Sequence, residues 1–301
     1  MNILITGGCG FVGVNLVKYL SGNDYTITIL DNLSTGEKDY IEKLSLEKAP
    51  NIIIDDIRNE DAVARAVKGM DTVIHLAAQT SVVDSIENPR ESWDINVTGT
   101  VNLLEACRQN NVERFVFASS NAVAGEQVPP IDEKMIPQPL SPYGASKLTG
   151  EALCSAYYHS FGLKTIALRF ANLYGPYSDH KTSVIAKFIE WIKAENPFTV
   201  FGDGNQTRDF VHVDDISQAI QLSLESQKSQ GEVFQIASGK ETSINDLIEI
   251  LSEAVEKQLQ VNYKPGRKGE ITRNYSDISK ARKMLDFEPK IELKEGLKRL
   301  L

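Results

Sequence analysis

Short apolar runs rich in β-branched residues recur along the first 172 residues, and most are followed by a segment whose apolar positions repeat every three or four residues. The runs predict β-strands, and the repeating segments predict helices with one buried face. Because strands alternate with helices, we expect parallel pairing and a sheet covered on both faces. The predicted strands are Asn2–Thr6, Tyr25–Leu30, Ile52–Ile54, Thr72–Leu76, Phe115–Ser119 and Thr165–Phe170, and the predicted helices are Phe11–Leu20, Asp61–Val67, Glu91–Gln109 and Tyr143–Phe161.

The pattern changes after about Asn172, where prolines and a glycine turn interrupt it and helices with short strands follow. We therefore predict a doubly wound parallel-sheet domain in residues 1–172 and a smaller α/β domain in residues 173–301. The apolar run Val233–Ala237 predicts a strand that rejoins the first sheet, so residues from about 210 to 238 are expected to return to the first domain.

Composition narrows the range of partners. The net charge of −9 and the lack of any run of Lys or Arg argue against a nucleic-acid or membrane surface. Cys9, Cys107 and Cys154 are odd in number and widely spaced, which favours neither a disulfide framework nor a zinc site, and no other spacing indicates a metal. The first strand begins at once, without a signal-peptide pattern, and no apolar stretch approaches the ~20 residues that span a bilayer. We expect a cytoplasmic protein.

A glycine-rich turn follows the first predicted strand directly. Gly7, Gly8, Gly10 and Gly13 stand between Thr6 and a helix that begins near Phe11. Glycine permits a tight turn, a close backbone approach to a pyrophosphate and close packing of helix on strand. The helix start directs free N–H groups and the positive end of its dipole at the phosphates. Because this turn joins a strand to a helix, it predicts a dinucleotide site in a Rossmann domain.

Asp31 closes the second strand, about 20 residues beyond the turn. A carboxylate at this position accepts hydrogen bonds from the ribose hydroxyls of adenosine and repels a 2′-phosphate. No Arg stands near it in the sequence. The pattern therefore favours NAD over NADP.

Tyr143 and Lys147 stand four residues apart at the start of a predicted helix, which places both on one face. Bringing a tyrosine from its ordinary pKa of roughly 10 to neutrality requires about 4 kcal/mol. A nearby ammonium and a positive nicotinamide can supply that stabilisation. We predict Tyr143 as an acid/base and Lys147 as its electrostatic partner, which also holds the nicotinamide ribose.

The chain resembles the extended short-chain dehydrogenase/reductase family, and within it the NAD-dependent nucleotide-sugar epimerases and dehydratases, above all proteins like UDP-glucose 4-epimerase. The resemblance runs almost end to end. The motifs that carry it are Thr6–Gly13, Asp31–Gly36, Asp56–Arg58, His75–Gln79, Ser119–Ser120, Tyr143–Lys147, Leu168–Pro176, Arg208–Asp215, Gly269–Glu270 and Asp277–Ala281.

The resemblance implies roles at matching positions. Ser120 would bond the sugar 4-oxygen beside Tyr143, which makes Ser120, Tyr143 and Lys147 the catalytic set. The second domain would bind a nucleotide sugar, with Ser120 and Tyr143 at the sugar and Asn172, Arg208 and Arg267 at the diphosphate, since arginine donates two parallel bonds to phosphate. The implied NAD-binding residues are Gly7, Gly10, Phe11, Val12, Gly13, Asp31, Asn32, Ser34, Thr35, Gly36, Asp56, Ile57, Leu76, Ala77, Ala78, Asn96, Tyr143 and Lys147.

The resemblance also bears on the reaction. Dehydratases of the family carry an Asp-Glu pair after the catalytic Ser or Thr, where this chain has Asn121 and Ala122, which transfer no protons. Ala122 also argues against the related uronate decarboxylases. We expect epimerisation of a UDP-sugar at C4 through a transient 4-keto intermediate. The alternatives left open are a nucleotide-sugar reductase or dehydratase and a non-catalytic NAD-binding sensor or scaffold.

Several positions leave the substrate open. Ala124 stands where the family has a tyrosine, which removes bulk near the sugar or a neighbouring contact. His180 and Lys181 are either solvated loop residues or partners of an anionic sugar such as a uronate. Asn274 is expected in the sugar pocket, where it would admit an N-acetyl group. The sugar, and UDP against dTDP, stay undetermined.

Two further expectations concern structure. His75 and His212 lie inside strand patterns, so they are expected to be structural. In relatives, helices matching Glu91–Gln109 and Tyr143–Phe161 pair across a four-helix bundle. The resemblance therefore implies a homodimer.

Overall fold

The computed structural model describes residues 1–178, 181–266 and 271–301. Its centre is a seven-stranded sheet in which every neighbouring pair is parallel. The fold class expected from the alternating pattern is confirmed. The strands of this sheet are β1 (Asn2–Thr6), β2 (Thr26–Asp31), β3 (Asn51–Ile54), β4 (Thr72–His75), β5 (Arg114–Ser120), β6 (Lys164–Phe170) and β11 (Glu232–Ile236). Across the sheet they lie in the order β11-β6-β5-β4-β1-β2-β3.

Helices cover both faces of the sheet, as the largely apolar strands require. One face packs on the helices that begin at Phe11, Val213 and Ser279. The other face packs on the helices that begin at Glu60, Gly99 and Pro142. The described helices are α1 (Phe11–Leu20), α2 (Lys38–Lys43), α3 (Glu60–Val67), α4 (Val82–Glu87), α5 (Pro89–Trp93), α6 (Gly99–Gln109), α7 (Pro142–Phe161), α8 (Val184–Lys193), α9 (Val213–Glu225), α10 (Ile244–Ala254), α11 (Ser279–Leu285) and α12 (Leu293–Lys298).

The helix predicted over Glu91–Gln109 is confirmed, with one irregularity. The structure has α5, then a π-helical turn at Asp94–Thr98, then α6, without a break in the helical backbone. The wider turn leaves Asn96 buried, with its amide bonded to the loop after β4 and to α7. Apolar periodicity does not distinguish this turn from a regular helix, because π-turns within a helix interrupt it by only one residue.

The later part of the chain builds a third apolar cluster, from α8, α10 and α12 with the short strands β7 (Asn172–Tyr174), β8 (Phe198–Phe201) and β10 (Phe210–His212). Three two-stranded sheets pair β7 with β10, β8 with β13 (Val261–Lys264), and β9 (Thr207–Arg208) with β12 (Thr242–Ser243). Strand β11 lies beside β6 at the edge of the central sheet. The domain boundaries given above stay a prediction.

The order of strands reverses between β1 and β4. From β1 the chain moves outward to β2 and β3, then crosses back to β4 and continues outward to β5 and β6. In doubly wound sheets, ligands bind at the carboxyl ends of the strands beside such a reversal. The glycine turn follows β1 at this point, and the candidate site is built around it.

Candidate active site

The glycine turn brings the ends of β1 and β4 into direct backbone contact. Gly7 has a φ of +70°, and a Cβ on it would lie 2.7 Å from the Ala77 nitrogen. A Cβ on Gly13 would lie 2.4 Å from the carbonyl oxygen of Gly7. Glycine is therefore required at both positions. The helix α1 begins at Phe11 with Gly10 as its N-cap, so the N–H groups of Phe11, Val12 and Gly13 are not bonded by a capping side chain.

Asp31 fixes the same turn from the second strand. Its carboxylate is 7% exposed and accepts hydrogen bonds from the Cys9 nitrogen at 2.9 Å and the Leu33 nitrogen at 2.8 Å. Each oxygen keeps acceptor capacity for a ribose hydroxyl. The loop that follows, with Asn32, Ser34, Thr35 and Gly36, packs on the glycine turn, since a Cβ on Gly36 would lie 2.6 Å from the Cys9 carbonyl carbon.

Asp56 lies beside this loop at the end of β3. It accepts bonds from Asn32 Nδ2 at 2.8 Å and from the guanidinium of Arg58 at 2.8 and 2.9 Å. These bonds, above all those from Arg58, lower the pKa of the Asp56 carboxyl to about 2 despite partial burial. Ile57 is buried next to it. The surroundings of Asp56 and Ile57, two of the implied NAD-binding residues, thus include a cation, Arg58, which stood in the quoted motif without an assigned role.

The backbone after β4 forms the facing wall. The Leu76 nitrogen donates to the Thr6 carbonyl at 3.1 Å, and the Ala77 nitrogen donates to Thr6 Oγ1 at 3.3 Å, with Ala78 next in the chain. His75 lies beneath, with its ring nitrogens 2.7 and 2.9 Å from the hydroxyls of Thr6 and Thr100. Burial, followed by repulsion from Lys147, lowers the pKa of His75 to about 3. It is a neutral strand residue at ordinary pH.

Asn96 lies behind this wall rather than on it. Its Oδ1 accepts from the Gln79 nitrogen at 2.8 Å, while its Nδ2 donates to the Gln79 carbonyl and to Ser146 Oγ, each at 3.0 Å. The amide is thus occupied within the protein. The geometry makes Asn96 a positioning residue that ties the loop after β4 to helix α7, and a direct contact with cofactor stays a prediction.

The predicted catalytic residues converge. Ser120 ends β5, and Tyr143 and Lys147 lie on the first turns of α7, which Ser141 caps through a bond from the Gly144 nitrogen. Burial raises the pKa of Tyr143, and a hydrogen bond with Ser120 opposes that rise. Lys147 donates to the Ala118 carbonyl at 2.9 Å, and its Nζ lies 6.0 Å from the Tyr143 ring centroid. Burial lowers the pKa of Lys147 to about 8.

A cavity of about 360 Å³ opens in front of Ser120 and Tyr143. Asn172 and Arg208 reach its wall, and Arg208 Nη1 is held by the carbonyls of Thr207 at 2.7 Å and Ile271 at 2.9 Å. Arg267, predicted beside them, lies outside the described residues. The lining residues are Val82, Ser120, Asn121, Ala122, Tyr143, Phe170, Ala171, Asn172, Arg208, Ile271 and Asn274.

Helix α4 was not predicted, yet it supports the catalytic helix. It carries Val82 to the cavity and places Ser85 Oγ 3.2 Å from the Tyr143 nitrogen, which donates to it. The available signal was Ser81, a preferred helix cap, which accepts a bond from the Asp84 nitrogen. The segment is short and its apolar residues are exposed, so periodicity did not reveal it.

A buried ion pair beneath the site was also missed. Arg169 on β6 donates two 2.8 Å bonds to Glu151 on α7, and Ser119 Oγ donates to the same carboxylate at 2.5 Å. Both charged side chains are at most 5% exposed. The pair joins the helix of Lys147 to β6, and Ser119 connects the same carboxylate to β5, the strand that ends in Ser120. A charged residue is usually exposed, so its burial cannot be predicted from the sequence unless its ion-pair partner is known.

Two expectations about the pocket stay predictions. Ala124 is buried and is not among the described residues that line the cavity, so the effect of the missing tyrosine on the sugar is not decided by this wall. Lys181 is partly buried, and its Nζ lies 4.9 Å from the ring centroid of Phe11. His180 lies outside the described residues.

The glycine turn, the Asp31 carboxylate and the close approach of Gly7 to Ala77 fit a dinucleotide, because side chains in this turn would fill the space that a pyrophosphate needs. Ser120, Tyr143 and Lys147 stand at the carboxyl edge of the same sheet. Fold and site together define a dinucleotide-dependent enzyme of the short-chain dehydrogenase/reductase class. In the part of the chain that the structure describes, no cluster of three or more His, Cys, Asp or Glu is arranged to hold a metal.

The sequence matches the model of the NAD dependent epimerase/dehydratase family over residues 3–237. The chain belongs to this family, within the extended short-chain dehydrogenases/reductases, and its cofactor is NAD. A Methanocaldococcus jannaschii protein named as a candidate UDP-glucose 4-epimerase is 42% identical, covering 99% of this chain and 97% of that protein. The UDP-glucuronate 4-epimerase of Thermodesulfobacterium geofontis is 37% identical, covering 98% and 94%.

Among solved structures, the UDP-glucose 4-epimerase of Thermotoga maritima with UDP-glucose has a TM-score of 0.93 at 37% identity, covering 99% of this chain and 96% of that chain. More distant relatives are named for other reactions, for example a UDP-glucuronic acid decarboxylase of Arabidopsis thaliana at 30% identity, with 100% of this chain and 69% of that protein covered. Within the described residues, no helix is long and apolar enough to cross a membrane.

Proposed function

We propose that this protein is a UDP-sugar 4-epimerase. The observation that carries the proposal is the composition of the cavity wall. Ser120 and Tyr143 are on it, and none of the described lining residues is an aspartate or glutamate. Dehydration needs groups that protonate the leaving 6-hydroxyl and remove the C5 proton, whereas epimerisation at C4 needs only one proton acceptor beside the redox cofactor. The wall therefore supports epimerisation.

Tyr143 handles the proton. Its buried phenol is neutral at rest, since burial raises its pKa, and it forms a hydrogen bond with Ser120 on the same cavity wall. The glycine turn, Asp31 and Lys147 would hold NAD, which would supply a hydride acceptor and donor and a positive charge at the site. That charge and the Lys147 ammonium favour the phenolate. Tyr143 then takes the 4-hydroxyl proton as C4 is oxidised, and returns it when the 4-keto sugar is reduced from its other face.

Anchoring of the diphosphate lets the sugar turn over without leaving. We propose Arg208, Asn172 and Arg267 as this anchor. The carbonyls of Thr207 and Ile271 orient the guanidinium of Arg208 at the cavity wall. Binding energy from the nucleotide retains the intermediate, so the sugar needs few contacts of its own. A cavity of about 360 Å³ with mixed lining suits a loosely held sugar.

The identity of the sugar depends on the polar side chains of the cavity wall. Asn274 is 8% exposed and lines the cavity, and its Oδ1 has no hydrogen-bond partner among the described residues. An unsatisfied buried amide is costly and is best explained by a polar partner that the substrate brings. We propose that an N-acetylated UDP-hexose is accepted alongside UDP-glucose. A uronate finds no cation on the wall other than Arg208 among the described residues.

The test is to incubate the purified protein with UDP-glucose, UDP-N-acetylglucosamine and UDP-glucuronate, without added cofactor, and to follow the products by NMR. We expect interconversion at C4. Tyr143→Phe should lower kcat by about 10²- to 10⁴-fold, the usual contribution of a general base. Tyr158→Phe is the matched control, because it removes a hydroxyl from the same helix outside the cavity wall, and it should retain wild-type turnover.

The rival functions give different results in the same assay. A reductase would need NADH in amounts equal to its product, and a dehydratase would release a 4-keto-6-deoxy sugar. A sensor or scaffold would bind NAD and UDP-sugar without turnover. Full activity of Tyr143→Phe would remove the proposed acid/base from the mechanism.

We also propose a homodimer through α5, α6 and α7. Two large side chains on these helices are exposed, Trp93 by 49% and Phe161 by 55%. Covering them in a bundle would remove apolar surface from water. Sedimentation should give twice the chain mass of 33.4 kDa, and Trp93→Glu should give the monomer. A wild-type protein that sediments as a monomer at micromolar concentration would contradict the proposal.

A further inference from the structure

Helix α4 buries a polar side chain and exposes apolar ones, which is the reverse of an ordinary surface helix. Val83 and Ile86 are exposed, whereas Ser85 is the one buried residue of this helix and is 0% exposed. Burial of a hydroxyl costs free energy unless it forms hydrogen bonds, while burial of a valine or isoleucine is favourable. Apolar burial therefore does not explain why Ser85 faces inward, and its hydrogen-bond partners must be considered.

The hydroxyl of Ser85 has two partners. Its Oγ donates to the Val82 carbonyl at 2.7 Å and accepts from the Tyr143 nitrogen at 3.2 Å. Val82 lines the sugar cavity, as does Tyr143. One hydroxyl thus connects a residue of the cavity wall to the backbone of the predicted acid/base.

The N–H group of Tyr143 receives its partner from outside its own helix. The first N–H groups of a helix have no acceptor within it, and Pro142 has no N–H, so Tyr143 is the first residue of α7 that must place one. The capping hydroxyl of Ser141 is already bonded by the Gly144 nitrogen at 3.1 Å. Ser85 therefore completes the start of the catalytic helix.

Both backbone polar groups of Tyr143 are held by buried serines, because its carbonyl also accepts from Ser146 Oγ at 2.8 Å. Placement of this residue matters for rate, since a reacting group displaced by about 1 Å can lose about 10²-fold. We propose that Ser85 is a positioning residue, which fixes the phenol of Tyr143 beside Ser120 through its bond to the Tyr143 N–H. The inference rests on the acid/base role of Tyr143 in the proposed function.

Ser85→Ala separates this hydrogen bond from the small size of the side chain, because alanine keeps the close approach of α4 to α7 and removes the acceptor. We expect kcat to fall about ten-fold, with little change in bound NAD or in the KM for the UDP-sugar. The pH at which kcat reaches half its maximum should rise, because a phenol displaced from Ser120 loses the hydrogen bond that lowers its pKa. A loss of stability alone would not shift that pH.

Ser223→Ala is the matched control. Ser223 is also fully buried, and it donates to the carbonyl three residues before it, that of Ile220, at 2.6 Å. It lies on α9 and is not among the residues that line the cavity. Its replacement should lower the urea midpoint of unfolding and leave kcat and its pH profile unchanged. Ser85→Cys, which keeps a weaker acceptor of similar size, should retain more kcat than Ser85→Ala.

A second measurement does not depend on the reaction. The holoprotein is labelled with isotopic tyrosine, and the Cζ resonance of Tyr143 is assigned by its absence in Tyr143→Phe. This resonance should move in Ser85→Ala and stay in place in Ser223→Ala. A wild type that converts no UDP-sugar would contradict the proposed function, and the resonance would still test the role of Ser85.

Two results would overturn the inference. One is a wild-type kcat together with an unmoved Tyr143 resonance in Ser85→Ala, which would show that only the small size of Ser85 is needed. The other is a raised KM with an unchanged kcat, which would assign Ser85 to the cavity wall through Val82. If Ser85→Ala does not fold, Ser85→Cys is measured in its place and judged by the same outcomes.

Discussion

The cofactor turn and the sugar cavity lie at the same edge of the sheet, yet they satisfy their polar groups differently. Around the turn, Asp31 is bonded by two backbone nitrogens, and Asp56 is bonded by Asn32 and Arg58. On the cavity wall, the Oδ1 atoms of Asn121 and Asn274 have no partner among the described residues. The carboxylates around the turn are held by protein donors, whereas two side-chain oxygens of the wall have no partner among the described residues.

This difference matches the two tasks. In the proposed reaction NAD would stay bound between turnovers, and a rigid site that costs little to order suits such a ligand. The sugar of the proposed reaction would rotate between two hydride transfers, and a wall with few fixed contacts suits it. A close-packed turn and a loosely contacting wall respond differently to substitution, and the effects expected are given from the largest to the smallest.

The first prediction concerns the buried ion pair of Arg169 with Glu151, beneath the catalytic residues. Arg169→Met leaves Glu151 charged and unpaired, which should cost about 3–5 kcal/mol in the free energy of unfolding. Urea denaturation measures it. Arg282→Met breaks the exposed pair with Glu288 and should unfold at the wild-type urea midpoint. A similarly small effect for Arg169→Met would show that the pair is not structurally important.

The second prediction concerns rigidity of the turn. Gly13→Ala places a methyl group 2.4 Å from the Gly7 carbonyl oxygen, and the resulting strain should cost about 2–3 kcal/mol and strip NAD from the purified protein. Gly22→Ala is the control, because no atom lies within 4 Å of its Cβ position. NAD content and urea midpoints are measured for both. Retention of NAD by Gly13→Ala would contradict the close packing.

The third prediction concerns acid sensitivity under the turn. Because the pKa of folded His75 is about 3, against an ordinary 6.5, the folded protein binds fewer protons than the unfolded chain between these values. Stability from this residue is therefore complete above pH 6.5 and falls as the pH drops towards 3. At pH 5 the loss should be about 2 kcal/mol. His75→Gln should lose that much less between pH 7 and pH 5, and an identical loss in both proteins would refute the assignment.

The fourth prediction concerns the wall. Arg208→Lys keeps the charge but loses the planar fork, so the KM for the UDP-sugar should rise about ten-fold, or about 1.4 kcal/mol, with little change in kcat. Steady-state kinetics measure KM and kcat. The amount of NAD that stays bound to the purified protein is measured as well, and it should equal that of the wild type. A fall in NAD content would mean that the two sites are not separate.

Features that depend on neighbouring residues in the chain could be predicted from the sequence, and features that depend on distant residues could not. Helix α1 lies at the predicted residues Phe11–Leu20, because its start is set by a glycine turn and its length by apolar period. The parallel sheet, the family and NAD are confirmed for the same reason: local rules govern them. The ion pair of Glu151 with Arg169, the role of α4 and the placement of Lys181 depend on residues far apart in the chain, and no local pattern encodes them.

The role of each site residue depends on which groups its side chain contacts in the folded protein. Ser120, Tyr143 and Lys147 were predicted together and the structure brings them together. Asn96 was predicted to contact the cofactor, and in the structure its side-chain amide forms hydrogen bonds with Gln79 and Ser146. A buried asparagine can serve either task, and only its partners distinguish them. The prediction for Arg267 lies outside the described residues.

The central claim, a C4 oxidation that is reversed within one active site, is tested most directly with a UDP-sugar deuterated at C4. The product is analysed by NMR and mass spectrometry in ordinary water, without added NADH. The account predicts that the C4 epimer forms with its deuterium retained at C4, because the hydride that leaves to NAD returns to the same carbon. Deuterium found at C6, or replaced by hydrogen from solvent or from an added reductant, would contradict it.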